Sequence, residues 1–313
     1  MPAKAGIQEK SPGIGISIHI HPTLKLDASL RWHDNLVKIY IMDTFILCAD
    51  DYGYSPEVSD GILQLIKAQR LSAVSCMTSM ENWNSAASEL KNFQNNIDIG
   101  LHLNLTEGPT TLRSSLNKLI ITSHLRLVNY NAIVKLLEQQ INLFVAAIGR
   151  LPDFIDGHQH VHHLPIVRQA LIDIYQKYFP EHQAYIRISS NGFAEDLKNS
   201  FKASIIGLTG AKALKKLLLQ NQIPFNSSFS GSYDFSTDKP YRERFIEFLK
   251  QTKTGGLIMC HPSLKTNNRQ DAIAAARAQE YAYFISDEFL LDCQQANKQL
   301  ARGSYLFHRH GFR

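Results

Sequence analysis

Carboxylates and histidines stand directly after several of the apolar, strand-like runs in this sequence. In chain order the polar residues at these positions are Asp50, Asp51, His102, Asp156, His158, His160, His162, Arg187 and His261. Ligands of α/β proteins gather at the C-terminal ends of parallel strands, so we expect these side chains to meet at one edge of a sheet. A carboxylate and two imidazoles brought together there form a site for a divalent metal ion, with positions left open for water and substrate.

Each of these residues also has an ordinary structural interpretation. An Asp-Asp pair after a strand is often a helix N-cap or a solvated turn, and a histidine such as His102 in an apolar run is often a hydrogen-bonded core residue. The segment DGHQHVHH is harder to explain in this way. In an extended chain its aspartate and alternate histidines, from Asp156 to His162, would all project from one face, where unpaired imidazoles are costly to bury. The coincidence of such residues at strand ends favours a metal or catalytic role.

The elements that must position these residues alternate between strands and helices from Met42 onward. Predicted strands are the run that starts at residue 42 and residues 73–78, 97–105, 154–160, 185–189 and 256–261. Predicted helices are residues 56–68, 84–93, 131–149, 165–178, 212–220, 241–251, 272–281 and 287–300. This alternation is typical of a parallel sheet or barrel. Asp51, His102 and His158 are separated by 51 and 56 residues, about two βα units each time, so they should come from separate strands.

The first 41 residues differ in character from the rest of the chain. They contain Pro2, Pro12 and Pro22 with scattered glycines, and they show no sustained helical or strand period. We therefore expect residues 1–41 to be an extension outside the fold, and Met42 to be the true start of translation. Residues 42–313 have a length that suits one barrel-like domain.

The charge balance argues against nucleic acid as a partner. Lys and Arg number 33 against 28 Asp and Glu, and the resulting net charge of +5 is spread over 313 residues without basic blocks. The hydrophobic fraction of 44% is enough for a full core. The 13 histidines are more informative than the charge, because neutral imidazole is the commonest protein metal ligand.

The sequence predicts a cytoplasmic protein with reduced cysteines. Cys48, Cys76, Cys260 and Cys293 form no CxxC pair, and the cysteines of FILCAD and LIMCHP are interpreted as small buried thiols. No apolar run reaches the ~18 residues of a membrane span. The N-terminal stretch GIGISIHIH is interrupted by histidine and lacks a small-residue cleavage site, which argues against export. The sequence leaves the oligomeric state open, with a homodimer as one alternative.

Four segments of the chain share their order and spacing with one known family. They are FILCADDYGYSPEVSDGI at 45–62, IGLHLNLTEG at 99–108, DGHQHVHHLP at 156–165 and MCHP at 259–262. On these segments, which span most of residues 42–286, the sequence resembles the YdjC-like carbohydrate deacetylases. That family includes the chitooligosaccharide deacetylase of chitobiose utilisation and hopanoid-associated relatives. The resemblance implies a single-domain α/β fold, a distorted (β/α) TIM-like barrel related to the polysaccharide deacetylases. It also implies removal of acetyl groups from N-acetylated sugars with magnesium or zinc.

The resemblance further implies roles for individual residues. It assigns the divalent metal ion to Asp51, His102 and His158, and it makes Asp50 the general base. His261 is the candidate general acid, because the related polysaccharide deacetylases have a histidine on a late strand. The C-terminal YLFHRHGFR has no counterpart in the family and receives no role. Residues expected to bind substrate or support the site are Arg187, which could orient Asp50 or contact substrate hydroxyls, and His162, His160 and Asp156.

Three other interpretations remain open. Two histidines and one carboxylate also describe a non-haem iron oxygenase, although such sites usually occur in β-sandwich or jelly-roll chains. The pair His158 and His160 suggests an amidohydrolase barrel, although those barrels place HxH on the first strand. The third is a catalytically silent barrel that binds a sugar or a metal. Specificity is expected in loops 108–127 and 190–238, so the sequence predicts only the class of substrate, a small N-acetylated carbohydrate.

Overall fold

The computed structural model of the chain describes residues 42–108, 112, 114–189, 210–266 and 271–308. The predicted extension, residues 1–41, lies outside the described residues. So do the end of the C-terminal tail, residues 309–313, and part of the loop 190–238 in which we expect specificity.

The described residues contain a parallel β-sheet that curls round on itself. Its strands are β1 (Asp43–Tyr52), β2 (Ala73–Cys76), β3 (Asp98–Leu103), β4 (Phe154–Gly157), β5 (Tyr185–Ile186), β6 (Phe229–Ser230), β7 (Gly256–Cys260) and β8 (Lys298–Leu300). They lie in the order β5-β4-β3-β2-β1-β7-β6, with β8 beside β1, and every pairing is parallel. A further parallel bridge joins Ile186 to Phe225, just ahead of β6. The sheet therefore approaches closure, which confirms the predicted distorted (β/α) barrel.

Helices follow most of the strands. They are α1 (Pro56–Lys67), α2 (Trp83–Leu90), α3 (Leu116–His124), α4 (Tyr130–Ile148), α5 (Pro165–Tyr178), α6 (Ala211–Gln220), α7 (Tyr241–Gln251), α8 (Ala274–Ile285), α9 (Asp287–Gln295) and α10 (Gly303–His308). Their ends follow local chemistry. The Ser55 side chain caps α1 by accepting from the Val58 N–H, with Pro56 in the first turn, and Gly149 ends α4 at a φ of 90°.

Two apolar clusters fix the positions of the strands. One joins β1 and β2 to α1, α2, α7, α8 and α9, and the other joins β3, β4 and β5 to α4, α5 and α6. Strands of a parallel sheet are covered on both faces, and every residue of β1 from Phe45 to Tyr52 is buried. Each fully buried large apolar side chain contributes about 1.5–3 kcal/mol relative to an exposed one. The packing of these two clusters thus fixes the strand ends that carry the polar residues.

Helix α10 covers the opposite, N-terminal end of the barrel. Its Leu306 and Phe307 pack against an apolar cluster that includes residues of β1, β4 and β7. Asp98, at the start of β3, accepts hydrogen bonds from Arg302 Nε at 2.8 Å and from the Ser304 N–H at 2.9 Å. Part of the tail that received no role from the sequence therefore closes the base of the barrel.

Three elements differ from their predicted form. Strand β4 ends at Gly157, and His158–His163 form a 3-10 turn in which Gln159 and His160 adopt left-handed backbone, with φ of 52° and 58°. The predicted projection of alternate histidines from one strand face is therefore wrong. The predicted helix 287–300 ends at Gln295, and its last residues form β8 instead. Helix α3 lies within a segment predicted as a loop.

Two further expectations concern membranes and cysteines. None of the helices in the described residues is long and apolar enough to cross a membrane. All four cysteines are free and buried, as predicted for the thiols of Cys48 and Cys260.

Candidate active site

A bulge in β1 brings two consecutive aspartates to the C-terminal edge of the barrel. Ala49 pairs with Val74 and Tyr52 pairs with Cys76, so β1 has one residue more than β2 across this interval. Asp51 takes up the extra length in left-handed backbone, with a φ of 69°, which few non-glycine residues adopt. Neighbouring side chains of a regular strand face opposite sides. The bulge breaks that alternation, and Asp50 and Asp51 both contribute buried carboxylates to the site.

Asp51, His102 and His158 converge at this edge. Asp51 Oδ1 lies 3.3 Å from His102 Nε2 and 2.9 Å from His158 Nδ1. One potential ligand atom from each residue lies within 4.8 Å of the other two. His102 belongs to β3 and His158 follows β4, so the three side chains come from separate strands. One carboxylate oxygen and two imidazole nitrogens at this separation fit a divalent ion.

Asp156 and Ser75 fix the His102 ring through its Nδ1 atom. Asp156 Oδ1 lies 2.6 Å from His102 Nδ1, and Ser75 Oγ donates to the same carboxylate oxygen at 2.5 Å. Burial alone would lower the pKa of His102, but the surrounding carboxylates of Asp156, Asp50 and Asp51 raise it to about 10. Because Nδ1 is bound to Asp156, Nε2 is the nitrogen that faces Asp51. A cation that binds this nitrogen must therefore displace a proton.

Arg187 joins two of the buried carboxylates. Its Nη1 and Nη2 donate to the two oxygens of Asp50 at 2.7 and 2.8 Å, and its Nε lies 3.1 Å from Asp156 Oδ2. Burial would raise the pKa of Asp156, but Arg187 and His102 hold this pKa well below its usual range. The Arg187 side chain is 0% exposed. This geometry favours orientation of Asp50 over contact with substrate, the two uses left open for this arginine.

His261 follows β7, the strand next to β1, and its side chain lies close to that of Asp50. Its Nε2 is 3.9 Å from Asp50 Oδ2. Burial lowers the pKa of His261 to about 4, so its ring is neutral at pH 7 in the free protein. The backbone N–H of His261 donates to Glu280, a buried carboxylate that also accepts from Tyr233 Oη at 2.7 Å. Burial raises the pKa of Glu280 to about 7. Glu280 and Tyr233 thus hold the backbone that carries the candidate acid.

Arg277, on α8, contacts the other oxygen of Asp51. Arg277 Nη2 donates to Asp51 Oδ2 at 2.7 Å. Burial would raise the pKa of Asp51, but Arg277 and His158 outweigh it and hold this pKa well below its usual range. Asp51 is therefore an ionised carboxylate whose two oxygens have different partners.

The remaining histidines of the DGHQHVHH segment lie beside the candidate metal site. His160 Nδ1 is 3.0 Å from Ser189 Oγ, and His162 Nε2 is 2.9 Å from the backbone oxygen of Arg187. His163 stacks on His160 with the ring centroids 5.8 Å apart. In the part of the chain that the structure describes, none of these three belongs to a group of side chains able to hold an ion. Their contacts support Arg187 and the turn after β4.

Because these histidines are buried, we expect the free energy of unfolding to fall as the pH is lowered. Burial lowers the pKa of His160, His162 and His163, that of His162 to about 4, against about 6.5 in an unfolded chain. Between these values the unfolded state binds more protons, so the free energy of unfolding falls as the pH drops from 6.5 towards 4. Each such histidine adds up to about 1.4 kcal/mol per pH unit to this dependence.

The measurement is the thermal unfolding midpoint of the metal-free protein between pH 7 and pH 5. We expect the midpoint to fall on acidification, and we expect His162→Gln to make the fall shallower. His124→Gln is the matched control, because His124 is exposed on α3 and its replacement should leave the slope as in the wild type. An unchanged slope in His162→Gln would contradict the burial argument.

Sequence reasoning missed Arg277 and Glu280. They stand three residues apart in the AAARAQEYAY segment of α8, so they lie on one face of the helix. That spacing is a signal, but charged pairs at this spacing are common on solvated helix faces. Ser75 was also missed, because in the strand AVSC it is a small polar residue among apolar ones.

Fold and site together define the class: a parallel α/β barrel whose C-terminal edge carries an aspartate and histidine centre able to hold a divalent ion. Comparison with protein families makes this more specific. The family model described as YdjC-like protein matches residues 44–295. The chain belongs to this family, as its motifs predicted.

Curated relatives share part of the chain. The chitooligosaccharide deacetylase of Yersinia pestis (strain Pestoides F) is 33% identical over 228 residues, which cover 70% of this chain and 81% of that protein. The carbohydrate deacetylase of Xenopus laevis is 32% identical over 148 residues, which cover 42% of this chain and 47% of that protein. The chain thus spans about half the length of that relative.

Solved structures show likeness in fold. A provisionally named cellobiose-phosphate cleavage protein from Enterococcus faecalis V583 has 19% identity and a TM-score of 0.62, and the match covers 85% of this chain and 100% of that chain. A peptidoglycan N-acetylglucosamine deacetylase aligns more loosely, with 14% identity and a TM-score of 0.46. The first of these matches supports the barrel fold.

Proposed function

We propose that this chain is a metal-dependent hydrolase that removes the acetyl group from an N-acetylated sugar or oligosaccharide. The observation that carries the proposal is the convergence of Asp51, His102 and His158 beside a second aspartate, Asp50, that is clamped by Arg187. The names of the relatives, carbohydrate deacetylase and chitooligosaccharide deacetylase, support the substrate class.

Asp51, His102 and His158 are the residues that would hold the ion, Mg²⁺ or Zn²⁺. When bound, a divalent ion supplies Lewis acidity, which lowers the pKa of water and polarises a carbonyl oxygen. Asp50 accepts a proton from the attacking water as the general base. Arg187 fixes the plane of the Asp50 carboxylate with two parallel hydrogen bonds. Cys48 Sγ also donates to Oδ1, at 3.6 Å, so Oδ2 is the oxygen that keeps a further lone pair for the proton.

His261 delivers a proton to the departing amine. Hydrolysis forms a C–O bond to the acetyl carbon, breaks the C–N bond, and requires that a water proton end on the sugar nitrogen. Because the pKa of His261 is about 4 in the free protein, the ring is neutral at pH 7 and acquires its proton during the reaction. Asp50 Oδ2 is the source of that proton, and because it lies 3.9 Å from His261 Nε2, the transfer passes through one intervening water. One proton thus passes from the base, Asp50, to the acid, His261.

The proposed setting is the cytoplasm, with a small carbohydrate as the partner. Four free cysteines suit a reducing compartment. Every group used in the mechanism comes from one chain, so a homodimer is not required for the chemistry.

Acetate release from di-N-acetylchitobiose in the presence of Mg²⁺ or Zn²⁺ tests the proposal. We expect one or more N-acetylated mono- or disaccharides in a panel to yield free acetate, and the corresponding deacetylated sugars to yield none. A protein that binds these sugars but releases no acetate from any of them, with either ion, would contradict the proposal and favour the catalytically silent barrel.

A further inference from the structure

The two carboxylate oxygens of Asp51 have separate partners. Oδ1 lies 3.3 Å from His102 Nε2 and 2.9 Å from His158 Nδ1, on the side where the ligand atoms converge. Oδ2 accepts a hydrogen bond from Arg277 Nη2 at 2.7 Å. A carboxylate arranged in this way offers a metal ion one oxygen.

Arg277 is itself held in place from several directions. Its Nε donates to Asp271 Oδ2 at 2.8 Å, and its guanidinium carbon lies 5.5 Å from the centre of the Tyr54 ring. The side chain is 3% exposed, and the backbone oxygen of Arg277 accepts from the Ser263 N–H at 3.2 Å. A planar guanidinium fixed on two sides directs its remaining N–H groups more accurately than a flexible ammonium would.

We propose that Arg277 is a positioning residue of the metal centre, which holds Asp51 in a one-oxygen binding mode. The inference deepens the proposed function and rests on its metal site. Because Arg277 holds Oδ2, an ion that bound both oxygens of Asp51 would have to displace or share this hydrogen bond. The contact therefore favours binding through Oδ1 alone and leaves one more coordination position for water or substrate. The fixed rotamer also spares the centre the cost of ordering a mobile ligand.

Two other roles for Arg277 make different predictions. If its positive charge mainly repelled a nearby cation, removal of the charge would strengthen metal binding. If Arg277 were only a structural ion pair, its loss would lower the thermal unfolding midpoint without changing the affinity for metal. Metal affinity therefore separates a positioning role from both.

The experiment measures Zn²⁺ binding by isothermal titration calorimetry to the wild type and to Arg277→Gln. It is paired with the visible absorption spectrum of the Co²⁺-loaded proteins, which reports coordination geometry without any assay of activity. Arg302→Gln is the matched control, because Arg302 donates to the buried Asp98 at 2.8 Å at the opposite end of the barrel. Both variants break one arginine–aspartate pair with a buried carboxylate.

We expect Arg277→Gln to weaken Zn²⁺ binding by about 10- to 100-fold, the usual effect of losing a group that orients a ligand. Its Co²⁺ spectrum should change, whereas Arg302→Gln should match the wild type in both readouts. Asp271→Asn, which leaves the Arg277–Asp51 bond in place, should weaken Zn²⁺ binding by a smaller factor and serves if Arg277→Gln fails to fold.

Equal or tighter Zn²⁺ binding by Arg277→Gln would overturn the inference while leaving the proposed function intact. If Arg277→Gln does not fold, wild-type affinity in Asp271→Asn would overturn it instead. Absence of divalent-ion binding by the wild type would overturn the metal site itself, and the proposed function with it. The two failures are thus distinguishable.

Discussion

Asp50→Asn is expected to lower the rate of acetate release by about 10²- to 10⁴-fold, the usual contribution of a general base. Asparagine keeps the shape of the side chain but cannot accept the proton of the attacking water. Asp50 is outside the ligand set of Asp51, His102 and His158, so the variant should still bind one divalent ion. Acetate release and isothermal titration of the same preparation check both halves of the expectation.

The matched control for Asp50→Asn is Asp153→Asn. Asp153 also receives two hydrogen bonds from one arginine, Arg150, at 2.9 and 2.7 Å, but it precedes β4 at the opposite end of the barrel. Loss of that pair should change stability and leave turnover near that of the wild type. Near-wild-type turnover in Asp50→Asn would show that the base is a different group.

Replacement of a proposed metal ligand should have a wider effect. In His102→Ala and His158→Ala we expect loss of both ion binding and acetate release, the latter by at least about 10³-fold, because several kcal/mol of Lewis-acid stabilisation are removed. Equilibrium dialysis with Zn²⁺ and an acetate assay measure the two losses. His124→Ala, an exposed histidine on α3, is the control and should retain both properties.

The two sets of variants differ in a way that separates the proposed roles. Asp50→Asn should lose turnover alone, and the histidine variants should lose turnover and ion together. A His158→Ala protein that bound Zn²⁺ as the wild type does would remove this histidine from the centre.

The placement of the site could be predicted because parallel strands deliver their C-terminal ends to one edge. Apolar runs before Asp50, His102 and His261 identified the strands, and the spacing predicted that Asp51, His102 and His158 come from different strands. The structure brings all three together. Continuous apolar runs suffice here because strands of a parallel sheet are buried on both faces, so each run identifies a strand and the polar residues after it identify the strand's end. The predicted two βα units between His102 and His158 were wrong, because β3 and β4 are consecutive strands joined through two helices.

Local backbone geometry could not be predicted in the same way. The bulge at Asp51 depends on pairing between β1 and β2, which sequence spacing does not contain. The turn after Gly157 requires left-handed backbone at Gln159 and His160. A glutamine followed by a histidine does not predict that conformation. An extended segment was the simpler expectation, and it was wrong.

Contacts between side chains far apart in the sequence could not be predicted either. Arg277 lies more than 200 positions along the chain from Asp51, yet its guanidinium reaches that carboxylate through the packing of α8 against the barrel. Such a contact arises from tertiary structure, and no local pattern identifies its partner. The role of Asp156 behind His102 was foreseen only as general support for the site.

The structure also bears on the other interpretations of the sequence. The amidohydrolase interpretation used His158 and His160 as a pair, but His160 Nδ1 lies 3.0 Å from Ser189 Oγ and the residue is absent from the ligand set of the described chain. The all-parallel barrel differs from the β-sandwich and jelly-roll chains in which iron oxygenase sites usually occur. Assays of catalysis therefore decide mainly between a deacetylase and a silent binding barrel.

The most direct test of the central claim is a titration of the metal-stripped protein with Zn²⁺ or Mg²⁺ while acetate release is followed. The proposed mechanism predicts no activity after chelation. Activity should return in proportion to the ion bound and level off when each chain holds one ion. Full activity in excess chelator would contradict the mechanism.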